Sequence, residues 1–114
     1  MKCAELGAGA TSFVPVDRVG SLFGIGLVKE HLEVNALLTG FETLDLNTPQ
    51  VHLPLEDNAF DAIFCEAMPY LCDPKHVFEE ARRAIKDDGI ICASWSSNSV
   101  HDKMMAPAWR TLTG

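Results

Sequence analysis

Five short apolar runs recur along this chain: Lys2–Leu6, Leu22–Leu27, Phe41–Leu46, Ala59–Cys65 and Gly89–Trp95. Each has the length of a strand. Unbroken hydrophobicity over four to eight residues, bounded by turn signals, is what a strand covered on both faces requires. Helical patterns fill two of the gaps between runs. Strands that alternate with crossover helices leave few topologies open, because such connections are right-handed and make the strands parallel. The expected class is α/β, an open and mostly parallel sheet with flanking helices.

The most informative stretch is Leu53–Cys65. It starts as a proline-containing loop, turns at Asp57-Asn58 and becomes the apolar run Ala59–Cys65, read as an interior strand. Asp61 interrupts that run near its start, where a carboxylate still reaches turn backbone or solvent. Upstream, Lys2–Leu6 feeds Gly7-Ala-Gly9-Ala-Thr-Ser12. Two glycines one residue apart let a backbone turn sharply and approach a ligand with no Cβ in the way. A tight turn after a strand uses the same residues, so the motif alone does not decide between the two. From Thr11 to Ser21 at most one helical turn is expected, given Pro15 and Gly20.

The glycines of Leu22–Leu27 weaken it as an isolated strand and permit close helix packing or close ligand approach. A helix is expected over Val28–Leu38, with Val28, Leu32 and Ala36 on one face and Gly40 ending it. Strand Phe41–Leu46 closes at Asn47-Thr-Pro49. Asp73 is an N-cap candidate with Pro74 in the first helical position. That helix is expected to reach about Lys86, with Val77, Ala81, Ala84 and Ile85 inward and Phe78 at the border. Glu79 and Glu80 one turn before Arg82 and Arg83 read as a solvated, ion-paired face. Asp87-Asp-Gly89 is the stop, Ile90–Trp95 the fifth strand, and Val100–Thr111 a helix interrupted at Pro107.

Charge and composition exclude several functions. With 47% hydrophobic and 22% charged residues the chain has the make-up of a folded domain, and residues 1–114 are read as one. A net charge of −7 with no Lys/Arg cluster argues against nucleic-acid binding through phosphates. No apolar run reaches transmembrane length, and Met1-Lys2 leads into a strand with no signal-peptide core. A cytoplasmic protein with no membrane contact is the expectation. Cys3, Cys65 and Cys92 fall in expected strands as small buried hydrophobes, Cys72 pairs with none in a C-x-x-C, and the four histidines form no ligand pattern. No metal site is expected.

In an open parallel sheet, ligands bind beyond the carboxyl ends of the strands. The groups expected there are Glu5 with the Gly7–Gly9 loop, Gly26-Leu27, Asp45-Leu46 and Cys65-Glu66. They are far apart in sequence and converge on one crevice.

The series Glu5-Leu-Gly-Ala-Gly9, Asp45-Leu46, Leu53-Pro-Leu-Glu-Asp-Asn-Ala-Phe-Asp61 and Phe78-Glu-Glu-Ala-Arg-Arg-Ala-Ile-Lys-Asp-Asp-Gly89 resembles the class I S-adenosylmethionine-dependent methyltransferases, type 11 above all. The similarity covers about residues 3–99. It implies a Rossmann-like sheet in strand order 3-2-1-4-5, S-adenosylmethionine as cofactor and a small-molecule methyl acceptor. By the same resemblance, the backbone of Gly7, Ala8 and Gly9 would lie against the methionine portion. Glu5 holds the acidic position before the loop. Asp45 and Leu46 would border the adenine, and the Cys65 backbone would accept from the cofactor's amino group.

Three differences from the family pattern stand out. The acidic residue that usually ends the second strand and holds the ribose hydroxyls is replaced by Gly26, followed by Leu27. Glu30 is the other acid that would do that work. If the missing acid limits affinity, Gly26→Asp is expected to tighten binding. Thr11 stands where a third loop glycine is usual. A chain ending at Gly114 is expected to lack the antiparallel strand pair that closes the family's sheet. The uncapped strand Ile90–Trp95 would then favour self-association. An alternative function is a non-catalytic methyltransferase-like fragment serving interaction or regulation. A nicotinamide dehydrogenase would need glycine where Ser12 stands. No residue is assigned as catalytic: His101 and Glu66 are weighed as bases, and Tyr70 is expected to pack under the crevice.

Overall fold

The computed structural model describes residues 1–12, 14, 16–66 and 71–93. Tyr70, Trp95, His101 and the helix expected over 100–111 lie outside these residues. Among the described residues the strands are β1 (Lys2–Leu6), β2 (Ser21–Gly26), β3 (Gly40–Thr43), β4 (Phe60–Cys65) and β5 (Ile85–Ala93). They form one sheet in the order β3-β2-β1-β4-β5, and every pairing is parallel. The fold is the Rossmann-like arrangement expected, with β1 in the middle. A 3₁₀ turn at Val16–Arg18, helix α1 (Lys29–Val34) and helix α2 (Pro74–Ala84) make the connections.

Side chains alternate between two apolar layers. On one side Ala4, Leu6, Ile25, Ile63 and Cys65 pack with Val77, Ala81 and Ala84 of α2 and with Val51, Leu53 and Leu55 of the loop before β4. On the other, Cys3, Leu22 and Ala62 meet Val14, with Val19, Leu38 and Phe64 at the margin. Cys92 is exposed although it lies in a strand, because β5 is outermost among the described strands and one of its faces is open.

Helix α2 starts as expected. The Asp73 carboxylate accepts from the His76 N–H at 3.2 Å, and Pro74 takes the first helical position. It ends at Ala84 rather than Lys86, and Ile85 passes directly into β5. The Asp87-Asp-Gly89 segment is therefore not a free turn. Phe60 pairs with Ile85 and Ala62 with Ile90, so Asp61 alone faces residues 86–89 across an irregular, bulged register. Lys86 Nζ bonds Asp61 Oδ1 at 3.1 Å, and the Lys2 N–H donates to Oδ2 at 2.8 Å. The Lys2 bond and then Lys86 hold the Asp61 carboxyl below its usual range. A Cβ at Gly89 would lie 2.9 Å from the Asp61 carbonyl oxygen, so the bulge needs glycine.

Helix α1 is shorter than expected. Leu32 is its buried residue, whereas Val28 and Ala36 are exposed. Asn35 ends the helix because its side chain competes for backbone partners: Oδ1 accepts the Leu37 N–H at 3.0 Å. Gly40 then opens β3 instead of capping a helix, and β3 stops at Thr43. Leu44 still donates its N–H to the Gly26 carbonyl at 2.9 Å, which keeps the chain at the sheet's end as it passes Asp45 and Leu46.

Glu80 and Arg83 are not a solvated face. One Arg83 nitrogen donates to the Leu55 carbonyl at 2.7 Å and to Asp57; the other donates to the Leu53 carbonyl at 3.0 Å and to Glu80 at 3.2 Å. Glu80 in turn accepts the Leu53 N–H at 2.8 Å. Burial, the largest influence on Glu80, pushes its carboxyl up. The Leu53 N–H, Arg83 and His52 outweigh it and hold Glu80 below its usual range. The planar guanidinium fork thus pins the loop that delivers β4.

Candidate functional site

β1 ends where the backbone must bend away from the sheet. Gly7 does this at φ 82°, a conformation that L side chains rarely adopt. The Gly7 and Ala8 N–H groups both donate to the Ile25 carbonyl, at 2.8 and 2.9 Å, so the loop lies across the end of β2. β2 makes room for it. A Cβ at Gly26 would stand 2.3 Å from the Ala8 carbonyl oxygen and 3.0 Å from Leu32 Cδ2, and a Cβ at Gly24 would overlap Leu38. Both glycines exist for close packing. The expectation that Gly26→Asp tightens binding therefore falls, because the position has no space for any side chain.

Past the loop a cleft opens at the carboxyl ends of β1, β2 and β3. Gly7, Gly26, Leu27, Asp45 and Leu46 line it together, as convergence from the strand ends required. Ile25, Leu44, Asn47 and Leu71 complete the lining. These four went unnoticed in the sequence, although Ile25, Leu44 and Asn47 are immediate neighbours of residues that were singled out. Leu27 is 68% exposed at the mouth. One Asp45 oxygen accepts the Asn47 N–H at 2.8 Å, a local turn that orients the carboxylate. Asn47 Oδ1 accepts the Cys72 N–H at 2.8 Å and so ties the Leu71 segment to this rim.

Other expected residues sit beside the cleft rather than on it. Ala8 is buried under the loop and Gly9 is bonded through its carbonyl. Cys65 ends β4 next to Leu6, and its side chain lies with Val77, Phe78, Ala81 and Ile91 beneath α2. Glu66 follows, its N–H donating to the Leu6 carbonyl at 3.3 Å. Glu30 stands exposed on α1. Among the described residues no group of three His, Cys, Asp or Glu side chains is placed to hold a metal ion, and no helix is long and apolar enough to cross a membrane.

Glu5 is the unusual group. It has no exposed surface, and Ser12 Oγ donates to its Oε1 at 2.6 Å. No donor reaches Oε2 among the described residues. Burial pushes the carboxyl up to about 7; the Ser12 bond works against that, and the nearby Glu66 carboxyl adds to it. Two carboxylates offer each other no donor, so Glu5 and Glu66 can bond only by sharing a proton. Asn35, whose side chain bonds Gly9 and Ser12, was also missed in the sequence. A lone asparagine after a helical pattern carries no signal of its own.

The comparisons agree with this geometry. Among solved structures, a SAM-dependent methyltransferase from Aquifex aeolicus superposes with a TM-score of 0.64 at 19% identity, over 96% of this chain and 66% of that one. The YcgJ protein of Bacillus subtilis gives 0.62 at 23%, over 89% of this chain and 47% of that one. Phosphoethanolamine N-methyltransferase 1 of Haemonchus contortus, solved with phosphoethanolamine and S-adenosylhomocysteine, gives 0.61 at 24%, over 83% and 22%. The chain thus spans two-thirds or less of the length of these structures, and at such identities they establish the fold. No curated protein matches. The family model described as a methyltransferase domain matches residues 4–93, and the chain belongs to that family, type 11.

Proposed function

We propose that this chain forms the cofactor-binding core of an S-adenosylmethionine-dependent methyltransferase acting on a small-molecule acceptor. The observation that carries the reading is the meeting of Gly7, Gly26, Leu27, Asp45 and Leu46 around one cleft, within a chain matched by the methyltransferase family. The left-handed Gly7 brings backbone rather than side chain to the cleft, which suits the methionine portion lying along Gly7, Ala8 and Gly9. Leu27, Leu44, Leu46 and Leu71 offer apolar walls to a purine, with the Asp45 carboxylate at its edge. The Cys65 backbone is assigned as acceptor for the cofactor's amino group, and Glu5 holds the acidic position before the loop.

The residues fit the cofactor at both ends and depart at the ribose, where β2 supplies no carboxylate. Loss of one charge-assisted pair weakens binding by roughly 1.5–3 kcal/mol, about tenfold or more. The cofactor brings a methyl group already activated on a sulfonium. The chain's own contribution is alignment and exclusion of water by the leucine walls, and an acceptor that arrives deprotonated needs no base.

Gly26 also favours a second reading, an interaction or regulatory domain that has kept the fold and lost tight binding. Calorimetric titration with S-adenosylmethionine, S-adenosylhomocysteine and NADH separates the readings. Binding of the first two alone is expected. Silence with all three would establish the non-catalytic reading, and a response to NADH alone would make the site a dehydrogenase's. As partners, we infer the small-molecule acceptor, no nucleic acid and no membrane, together with self-association through the outer strand β5.

A further inference from the structure

Asn35 is a polar side chain only 5% exposed, and the methyl-transfer reading gives it no task. Its Nδ2 donates to the Gly9 carbonyl at 2.9 Å and to Ser12 Oγ at 2.8 Å, while Oδ1 accepts the Leu37 N–H at 3.0 Å. These partners fix which way the amide faces, because a flipped amide would set oxygen against the Gly9 oxygen. They also fix Ser12. Having accepted from Asn35, the hydroxyl has one proton to give, and it gives it to Glu5 Oε1 at 2.6 Å. A single side chain at the end of α1 thus holds the glycine loop at Gly9 and aims the Ser12 proton at the buried acid.

We propose that Asn35 is the positioning residue of the cofactor loop, holding its path at Gly9 and directing the Ser12 hydroxyl onto Glu5. The proposal rests on the cofactor reading above for its functional consequence, and on geometry alone for the pin itself. Among the described residues few groups face Glu5: Gly24 and Phe64 are its register neighbours on β2 and β4 and do not titrate, Ser12 and Asn35 come from the loop and from α1, and Glu66 brings a second carboxyl. The Ser12 bond favours the ionised carboxyl, against burial. Without Asn35 the hydroxyl is free to turn away, so the Glu5 titration moves upward from about 7.

The test uses Asn35→Ala, Ser12→Ala and the core variant Val77→Ala, which loosens α2 without touching the loop. Hydrogen exchange over residues 7–12 and the NMR titration of the Glu5 carboxyl are followed without ligand. Calorimetry with S-adenosylhomocysteine follows. The expected result is faster loop exchange and a raised Glu5 midpoint in both loop variants, with affinity for the probe down by about tenfold, the scale of one or two lost hydrogen bonds. Val77→Ala should move neither the midpoint nor the exchange. Should Asn35→Ala not fold, Ser12→Ala carries the test by removing the same link from its other end. An unmoved midpoint, unchanged loop exchange, or an equal shift in Val77→Ala would overturn the proposal. A wild type that ignores the probe while its loop variants still shift would overturn the cofactor reading and support the pin.

Discussion

Glu5 ties the chemistry of the loop to stability, because its carboxyl titrates near 7 when folded and at 4.5 ordinarily. A folded state that holds the proton more tightly is stabilised by protonation. That contribution is fully present below pH 4.5 and is lost as pH rises through 7, a change on the order of 3 kcal/mol. Glu5→Gln keeps the acceptor for Ser12 and sets an amide donor against Glu66. The variant should match the wild type in urea denaturation at about pH 4 and exceed it at about pH 8.5. Equal stability at both would mean that the Glu5 carboxyl titrates in the fold as it does in the unfolded chain. Two glycines make sharper demands. Gly7→Val places a β-branched residue at φ 82° and should abolish S-adenosylhomocysteine binding, with about 1–3 kcal/mol of strain measured by the same denaturation. Gly26→Asp should weaken binding and lower stability, since its Cβ overlaps the Ala8 carbonyl oxygen. Intact stability with tighter binding would show that the loop can retreat.

At the scale of elements, the loop from Leu53 to Asp57 is held by α2 more than by its own turn. Arg83→Met removes the fork that satisfies the Leu53 and Leu55 carbonyls and takes the guanidinium away from Glu80. The expected loss is about 2–3 kcal/mol, and Arg83→Lys should recover little of it because a point charge cannot serve both carbonyls. Stability within 0.5 kcal/mol of wild type, roughly the range of a neutral surface change, would reduce the clamp to a surface ion pair. The Glu-Glu-Ala-Arg-Arg spacing is visible in the sequence, but helical spacing cannot say what a charged face meets. Strand existence was legible because continuous apolar runs require two covered faces, strand order only through the resemblance to the methyltransferases, and Asp73-Pro74 was legible because capping is local. The ends of α1 and β5 were not. Asn35 stops α1 with its bond to the Leu37 N–H but is itself held by a loop 23 and 26 residues away, and the β5 bulge depends on Asp61 standing opposite residues 86–89. Of the site, the glycines and Asp45-Leu46 announced themselves by position after strands, whereas Asn35 and Asn47 act through partners that only the fold supplies.

For the molecule as a whole, the two sides of the sheet end differently. β3 is short, with most of its residues exposed, while β5 runs for nine residues and is outermost among the described strands on its side. Ile91 and Ala93 of β5 turn inward onto the layer built on α2. Ile90 and Cys92 turn outward, and Ile90 is 57% exposed. Charge lies at one end, in Lys86, Asp87 and Asp88, and the stretch from Gly89 to Ala93 has none. An uncharged edge with apolar side chains is a template for pairing with a second copy of the chain. The substitution that tests this belongs at Ile90, because lysine at the inward Ala93 would disturb the packed layer. Ile90→Lys should leave the fold intact and shift sedimentation toward monomer, with the wild type self-associating at tens of micromolar, on the order of where exposed edges do so. Cys92→Ser serves as the control: it separates strand pairing from disulfide linkage through the exposed thiol, and should leave association unchanged. A wild type that sediments as a monodisperse monomer across that range would show that β5 is covered, and the self-association inferred for this strand would fall.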